Sequence, residues 1–232
     1  MKPNNQAELE SEFRPDRLFG FFERLKTMSS LQRFGTLPMI QSESVASHSY
    51  NVAILSLMIA DYEEDANIDC EQLLRKALFH DFEETILSDI PHPIKHRFKG
   101  GKLGKLLEEI VPDLVENEIF KELPPKLRER YARSTLTSKE GIEGAMVAAA
   151  DAMDIVLTAL REVKMGNKYF EHIFQVGLKI LEKHHHFKFA RLFSESAKHY
   201  RARDEYADAQ PTFTDEFMEG ASRLGDIGMN PL

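Results

Sequence analysis

Residues 77–93 read ALFHDFEETILSDIPHP. An apolar run on a helical period ends in the adjacent pair His80 and Asp81, with Glu84 and Asp89 close behind. A helix burying one face does not ordinarily place ionisable side chains on it, because an unpaired charge taken out of water is strongly disfavoured. His80 follows Leu73 by seven residues and Ala77 by three, so its side chain belongs to the inward stripe.

Two other segments repeat the anomaly. In SVASHSYNVAILSLMIADY, residues 44–62, His48 lies four, seven and eleven residues before Val52, Leu55 and Ile59, on the apolar face of its own helix. In the alanine-rich IEGAMVAAADAMDIVLTALREV, residues 142–163, Asp151 precedes Ile155 by four on an apolar face, with Asp154 as the alternative inward carboxylate. Three helices thus direct two imidazoles and two carboxylates to one interior, and a divalent cation would offset the cost of burying them. The chain has one cysteine, Cys70, which excludes an internal disulfide and a thiolate zinc site, so any metal is held by nitrogen and oxygen. Four protein ligands on an octahedral ion leave room for water and substrate.

Around this core the periodicity is helical throughout. Leu18, Phe22, Leu25 and Met28 recur at three- and four-residue steps, and no segment alternates with the period of a strand. FGTLPM at 34–39, DIPHP at 89–93, KGGK at 99–102 and LPPK at 123–126 punctuate the chain. SKEG at 138–141 is suited to start the alanine-rich helix, and two further amphipathic helices meet at HHHFK, 184–188, whose three histidines are expected to be exposed. The expectation is an all-α bundle of about seven to nine helices without a sheet, a single domain over 1–232 with its core at about 16–206, a polar N-terminal tail and a loosely structured C-terminal tail. The 232 residues carry 42% hydrophobic side chains, enough for a real core. Their formal charge of -8 argues against a nucleic-acid polymer as partner. No signal-peptide-like stretch opens the chain and no apolar run is long enough to span a membrane, so a soluble, cytoplasmic protein is expected.

His48, the HD pair at 80–81 and Asp151 in AAADAMD resemble the H…HD…D pattern of the HD-domain metal-dependent phosphohydrolases. Together with RFGTLPMIQSESVASHS and HDFEETILSDIPHPIK, over residues 18–163, the chain is most similar to the YfbR-like bacterial 5′-deoxynucleotidases. The resemblance implies an all-helical HD domain, usually a homodimer, that removes the 5′-phosphate from deoxynucleoside monophosphates with metal-activated water. It places the ligands of one divalent cation (Co, Mn, Fe, Ni, Zn or Mg) on His48, His80, Asp81 and Asp151. It makes Arg33 the phosphate-orienting group, and Arg33, Glu84 and Asp81 the catalytic set. Substrate contacts fall on Arg33, Phe34, His48, Asp81, Asp89, Ile90, Pro91, His92 and Asp151. Glu84 is expected to share the face of His80 and Asp81 on a continuing helix, and Glu83 to be solvated.

The sequence departs from the family pattern at two places. Phe34 stands where the deoxynucleotidases carry a tryptophan that helps reject a 2′-hydroxyl, and His92 replaces the small hydroxyl residue of DxPTP. Hydrolysis of nucleoside triphosphates or other phosphomonoesters is the alternative activity, and a catalytically silent nucleotide-binding regulator the alternative outside enzymes.

Overall fold

A computed structural model describes residues 13, 15–63, 67–91 and 101–203. Among these the chain forms eight helices of ten residues or more and one short α-helix: α1 (Pro15–Ser30), α2 (Val45–Tyr62), α3 (Cys70–Phe79), the short α4 (Glu84–Leu87), α5 (Lys102–Leu114), α6 (Pro125–Leu136), α7 (Gly141–Lys164), α8 (Phe170–Leu181) and α9 (Lys188–Ala202), with a π-helical turn at Val115–Ile119 and a 3-10 turn at Glu182–His184. No strand occurs among the described residues; a single antiparallel bridge links Gln32 to Ser44. The architecture is the all-α one expected.

Local chemistry explains where the helices start. Ser44 caps α2, its hydroxyl accepting from the Ser47 amide, and Asp69 caps α3 by accepting from Gln72. Pro125 opens α6 in the first turn, where its missing N–H is no loss. Gly141, at φ 70°, takes a left-handed conformation as α7 begins.

The chain has two compact units, Met1–Ala197 and Lys198–Leu232. Of the second only residues 198–203 are described, and every site residue below belongs to the first. At the centre of that first unit runs α7, packed against α2, α3 and α8. Its Ala149, Ala150 and Ala152 are buried with Val52, Ile59, Leu73 and Ala77, so small side chains bring three helix backbones close together. A Cβ on Gly177 would come within 3.0 Å of Val156 Cγ2, which fixes glycine where α8 crosses α7. A second cluster gathers Phe82, Phe120, Ile119 and Val115 beneath α1 and α6. Truncating a buried side chain such as Leu73 to alanine costs about 2–5 kcal/mol in such cores.

The inward face of α1 differs from the periodic expectation. Leu18 and Met28 face the core, but Phe22 and Leu25 are 44% and 49% exposed, and Phe21 packs inward in their place. The apolar positions of α1 cover more than half its circumference, so spacing alone does not select which side meets the core.

Candidate metal and phosphate site

The α3 helix stops at Phe79, and residues 80–83 form a tight turn before α4 begins. The Phe82 amide donates to the Phe79 carbonyl and the Glu84 amide to that of Asp81. Glu84 is therefore not one turn along a continuous helix from His80, as its spacing suggested. It lies buried at the head of α4. Glu83, expected in solvent, is half-buried.

His48 from α2, His80 and Asp81 from the turn, and Asp151 from α7 meet at one point. His48 Nε2 is 3.1 Å from His80 Nε2, 3.4 Å from Asp81 Oδ2 and 3.4 Å from Asp151 Oδ1, and His80 Nε2 is 3.1 Å from Asp81 Oδ2. Ligand atoms of His48, His80 and Asp151 all lie within 4.8 Å of one another. Both imidazoles are buried, at 0% and 3% exposure.

The outer nitrogens fix the tautomers. His80 Nδ1 donates to the Ala77 carbonyl at 2.8 Å, and His48 Nδ1 faces the Asp154 carboxylate at 2.6 Å, so its proton belongs there. Both Nε2 lone pairs then point at the same space as two carboxylate oxygens. Four acceptors converge with no donor between them, an arrangement that is repulsive without a cation. Ligand atoms about 2.1 Å from one ion lie roughly 3.0 Å apart in octahedral and about 3.4 Å apart in tetrahedral coordination, and the separations around His48 Nε2 and His80 Nε2, 3.1–3.4 Å, fall in that range.

In the protein without a metal, protons must balance these charges. Burial pushes the His48 imidazole down, and Arg33 does so too, but hydrogen bonds to Asp151, Asp154 and Asp81 outweigh both and raise it to about 10. Burial opposes ionisation of Asp81, yet His80 and His48 hold it well below the usual carboxylate range. Burial likewise opposes ionisation of Asp151, which is half-buried, yet Lys139 above all holds it well below the usual carboxylate range. Lys139 Nζ donates to Asp151 Oδ2 at 2.6 Å. Gly144 permits that approach, since a Cβ there would collide with the Lys139 backbone.

Arg33 stands at the edge of the cluster. Its Nη1 is 3.2 Å from Asp154 Oδ2 and its Nη2 3.9 Å from Asp151 Oδ1. Its own amide donates to the Glu43 carbonyl at 2.8 Å, and its guanidinium carbon lies 5.2 Å from the centre of the Phe34 ring. Phe34 adopts φ 54°, a left-handed conformation unusual for an aromatic residue. Its amide donates to Asp89 Oδ2 at 2.9 Å, tying the loop after α1 to the segment that follows α4. Ile90 and Pro91 continue that segment half-buried. His92, with Lys95 and His96, lies outside the described residues.

A model of the YfbR-like 5′-deoxynucleotidases matches residues 20–200. The chain belongs to that family. A 5′-deoxynucleotidase of Pectobacterium atrosepticum is 28% identical over 160 residues, 65% of this chain and 76% of that protein. One from Yersinia pestis is 28% identical over 160 residues, covering 65% and 77%. Among solved structures, an HD-domain phosphohydrolase of Listeria innocua is similar with a TM-score of 0.70 at 20% identity, over 89% of this chain and 99% of that one. A cyanophage S-2L HD phosphohydrolase bound to dA and one catalytic Zn2+ ion is similar with a TM-score of 0.52 at 18% identity, over 76% and 95%. These two likenesses establish the shared fold.

In this member of the YfbR-like family, several site groups carried no clear signal in the sequence. Lys139 sits in SKEG, which looked like a helix start. Asp154, weighed as a ligand, lies on the Nδ1 side of His48, away from the converging atoms. Asn51, three residues after His48, donates to both Asp154 and Glu43. Of the three adjacent histidines, His184 and His185 are half-buried and only His186 is exposed. Burial and the neighbouring His186 push the His184 imidazole below its ordinary value.

Proposed function

We propose that this chain is a metal-dependent phosphatase of nucleoside 5′-monophosphates. The observation that carries the proposal is the meeting of four acceptors, His48 Nε2, His80 Nε2, Asp81 Oδ2 and Asp151 Oδ1, with their tautomers fixed from outside. Two nitrogens and two oxygens would suit Co, Mn, Fe, Ni or Zn, and such an ion would have room left for water and substrate. A bound divalent cation supplies Lewis-acid polarisation of water and of a phosphoryl oxygen.

The remaining work falls to residues around it. Arg33 presents a planar fork that holds two phosphate oxygens and offsets their charge during the displacement, while the bonding pair passes to the leaving 5′-oxygen. Phe34 and Asp89, joined by the Phe34 amide, form one wall against which the sugar rests. Asp81, beside both imidazoles, fixes the attacking water relative to phosphorus. Glu84 orients that water or carries its proton. The names of the 5′-deoxynucleotidase relatives favour deoxynucleotides. Phe34 supplies a ring, smaller than the tryptophan of the pattern, to crowd a 2′-hydroxyl.

A homodimer has a suitable face on α2, where Tyr50, Ile54, Met58 and Tyr62 repeat every four residues and are 43–63% exposed. No described helix is long and apolar enough to cross a membrane, and the cytoplasm is the proposed location.

The test is orthophosphate release from a panel of deoxy- and ribonucleoside monophosphates, by protein stripped of metal and then supplied with Co, Mn or Mg. Release that needs the metal and favours the deoxy series is expected. Full activity after stripping would overturn the proposal, and release of pyrophosphate or triphosphate from nucleoside triphosphates in its place would replace it.

A further inference from the structure

We infer that Asp154 is a positioning residue that couples cation binding to phosphate binding, by fixing the tautomer of His48 and the place of Arg33 with one carboxylate. The inference rests on the phosphatase proposal above and concerns a residue outside its ligand set.

Asp154 is fully buried, on α7 one turn after Asp151. Its Oδ2 lies 2.6 Å from His48 Nδ1 and accepts from Arg33 Nη1 at 3.2 Å, while Oδ1 accepts from Asn51 Nδ2 at 3.0 Å. Asn51 is itself anchored, because its amide nitrogen also donates to Glu43 Oε1, and Glu43 Oε2 accepts from Thr158. The carboxylate is thus held from three sides.

The decisive geometry is at His48 Nδ1, which lies 2.6 Å from Arg33 Nη1 as well as from Asp154 Oδ2. A guanidinium has only donors. Were Arg33 the partner of Nδ1, that nitrogen would have to accept, the proton would move to Nε2, and His48 could not ligate. With Asp154 in place Nδ1 donates to the carboxylate, the Nε2 lone pair is free, and Arg33 donates to the same oxygen. One atom, Asp154 Oδ2, therefore keeps His48 competent for metal and directs the competing cation to the neighbouring phosphate position. Second partners of ligating histidines typically change metal affinity by about 10–100-fold when lost.

The experiment titrates Mn2+ into the metal-stripped protein by calorimetry, and inorganic phosphate into the Mn2+-loaded protein, for wild type, Asp154→Asn, Arg33→Ala and the double variant. Circular dichroism checks that each remains helical. Asp154→Asn is expected to weaken Mn2+ by about 10–100-fold and phosphate by several-fold. Arg33→Ala is expected to weaken phosphate while leaving Mn2+ within a few-fold of wild type. In the double variant the phosphate affinity should equal that of Arg33→Ala alone, because Asp154 acts on phosphate only through Arg33. A merely structural Asp154 would lower thermal stability without this pattern.

Unchanged Mn2+ affinity in a folded Asp154→Asn overturns the inference, as does a further loss of phosphate in the double variant. Wild-type protein that takes up no Mn2+ overturns the phosphatase proposal and this inference with it. Should Asp154→Asn fail to fold, Asn51→Ala, which releases Asp154 Oδ1, is expected to weaken Mn2+ by several-fold. Wild-type affinity in that variant overturns the inference equally.

Discussion

Lys139 Nζ lies 2.6 Å from Asp151 Oδ2, on the oxygen opposite the one that faces His48. Asp151 therefore stands between a fixed ammonium and the converging acceptors. In the protein without metal, Lys139 helps to balance the charges of Asp151 and Asp81. Lys139→Gln should destabilise the metal-free protein, by about 1 kcal/mol or less because the ammonium side chain is 41% exposed and screened. The rise in Tm on adding Mn2+ should become larger than in wild type, since one competing positive charge has gone. A smaller rise would contradict this balance of charge.

His80→Ala and Asp81→Ala each remove an acceptor from the converging set. Both should lose metal-dependent phosphate release, by on the order of a thousandfold or more in kcat/KM if Lewis-acid stabilisation contributes several kcal/mol. Far-UV circular dichroism should stay helical. Full activity in either variant would refute the site.

The stability of the metal-free protein should depend on alkaline pH. His48 is raised from an unfolded value of about 6.5 to about 10. A group whose folded pKa lies above its unfolded one contributes stability that is fully present below the unfolded value and lost as pH rises through the folded one. Metal-free protein should therefore lose stability from about pH 7 to pH 10, and a divalent cation, which needs the deprotonated ring, should restore more of it the higher the pH. Chemical denaturation at several pH values, with and without Mn2+, measures both trends. A stability independent of pH across that window would count against the proton-for-metal exchange.

Glu162 clamps the loop that leads from Phe34 to Glu43. Its carboxylate accepts from the Ile40 and Gln41 amides at 2.8 Å each and from Asn167 Nδ2 at 2.6 Å. Glu162→Gln leaves at least one of these donors poorly paired and should cost about 1–3 kcal/mol. Because the loop carries the Phe34 wall, KM should rise more than kcat falls. Burial works against its ionisation, but those hydrogen bonds lower its carboxyl below the ordinary value. Its contribution is accordingly present above about pH 4.3, the usual unfolded glutamate value, and lost as pH falls through the lower folded value. Acid titration of wild type against Glu162→Gln should show the difference shrinking in that direction.

Much of the site could be read from spacing. His48 lies on the buried stripe of α2, His80 is buried just past the end of α3, and Asp151 is half-buried on α7; period 3.6 reports which residues of one helix face the same way. The same argument failed where apolar residues cover too much of a helix, as in α1, where Phe22 and Leu25 are exposed and Phe21 packs inward. It failed again at residues 80–83, where the chain turns and Glu84 reaches its buried place by a route that periodicity does not contain.

By itself the sequence determined the all-α class and the family, and singled out candidate side chains for a cation, because helical period and motif spacing are properties of a single chain segment. Only the tertiary structure decided that Asp154 lies behind His48 rather than beside Asp151 at the acceptors, that Lys139 pairs with Asp151, and that Phe34 is tied to Asp89. Each of these depends on the angle and depth at which separate helices and loops pack. Contacts between groups 121 residues apart, as in Arg33 and Asp154, are set by that packing and by no local preference.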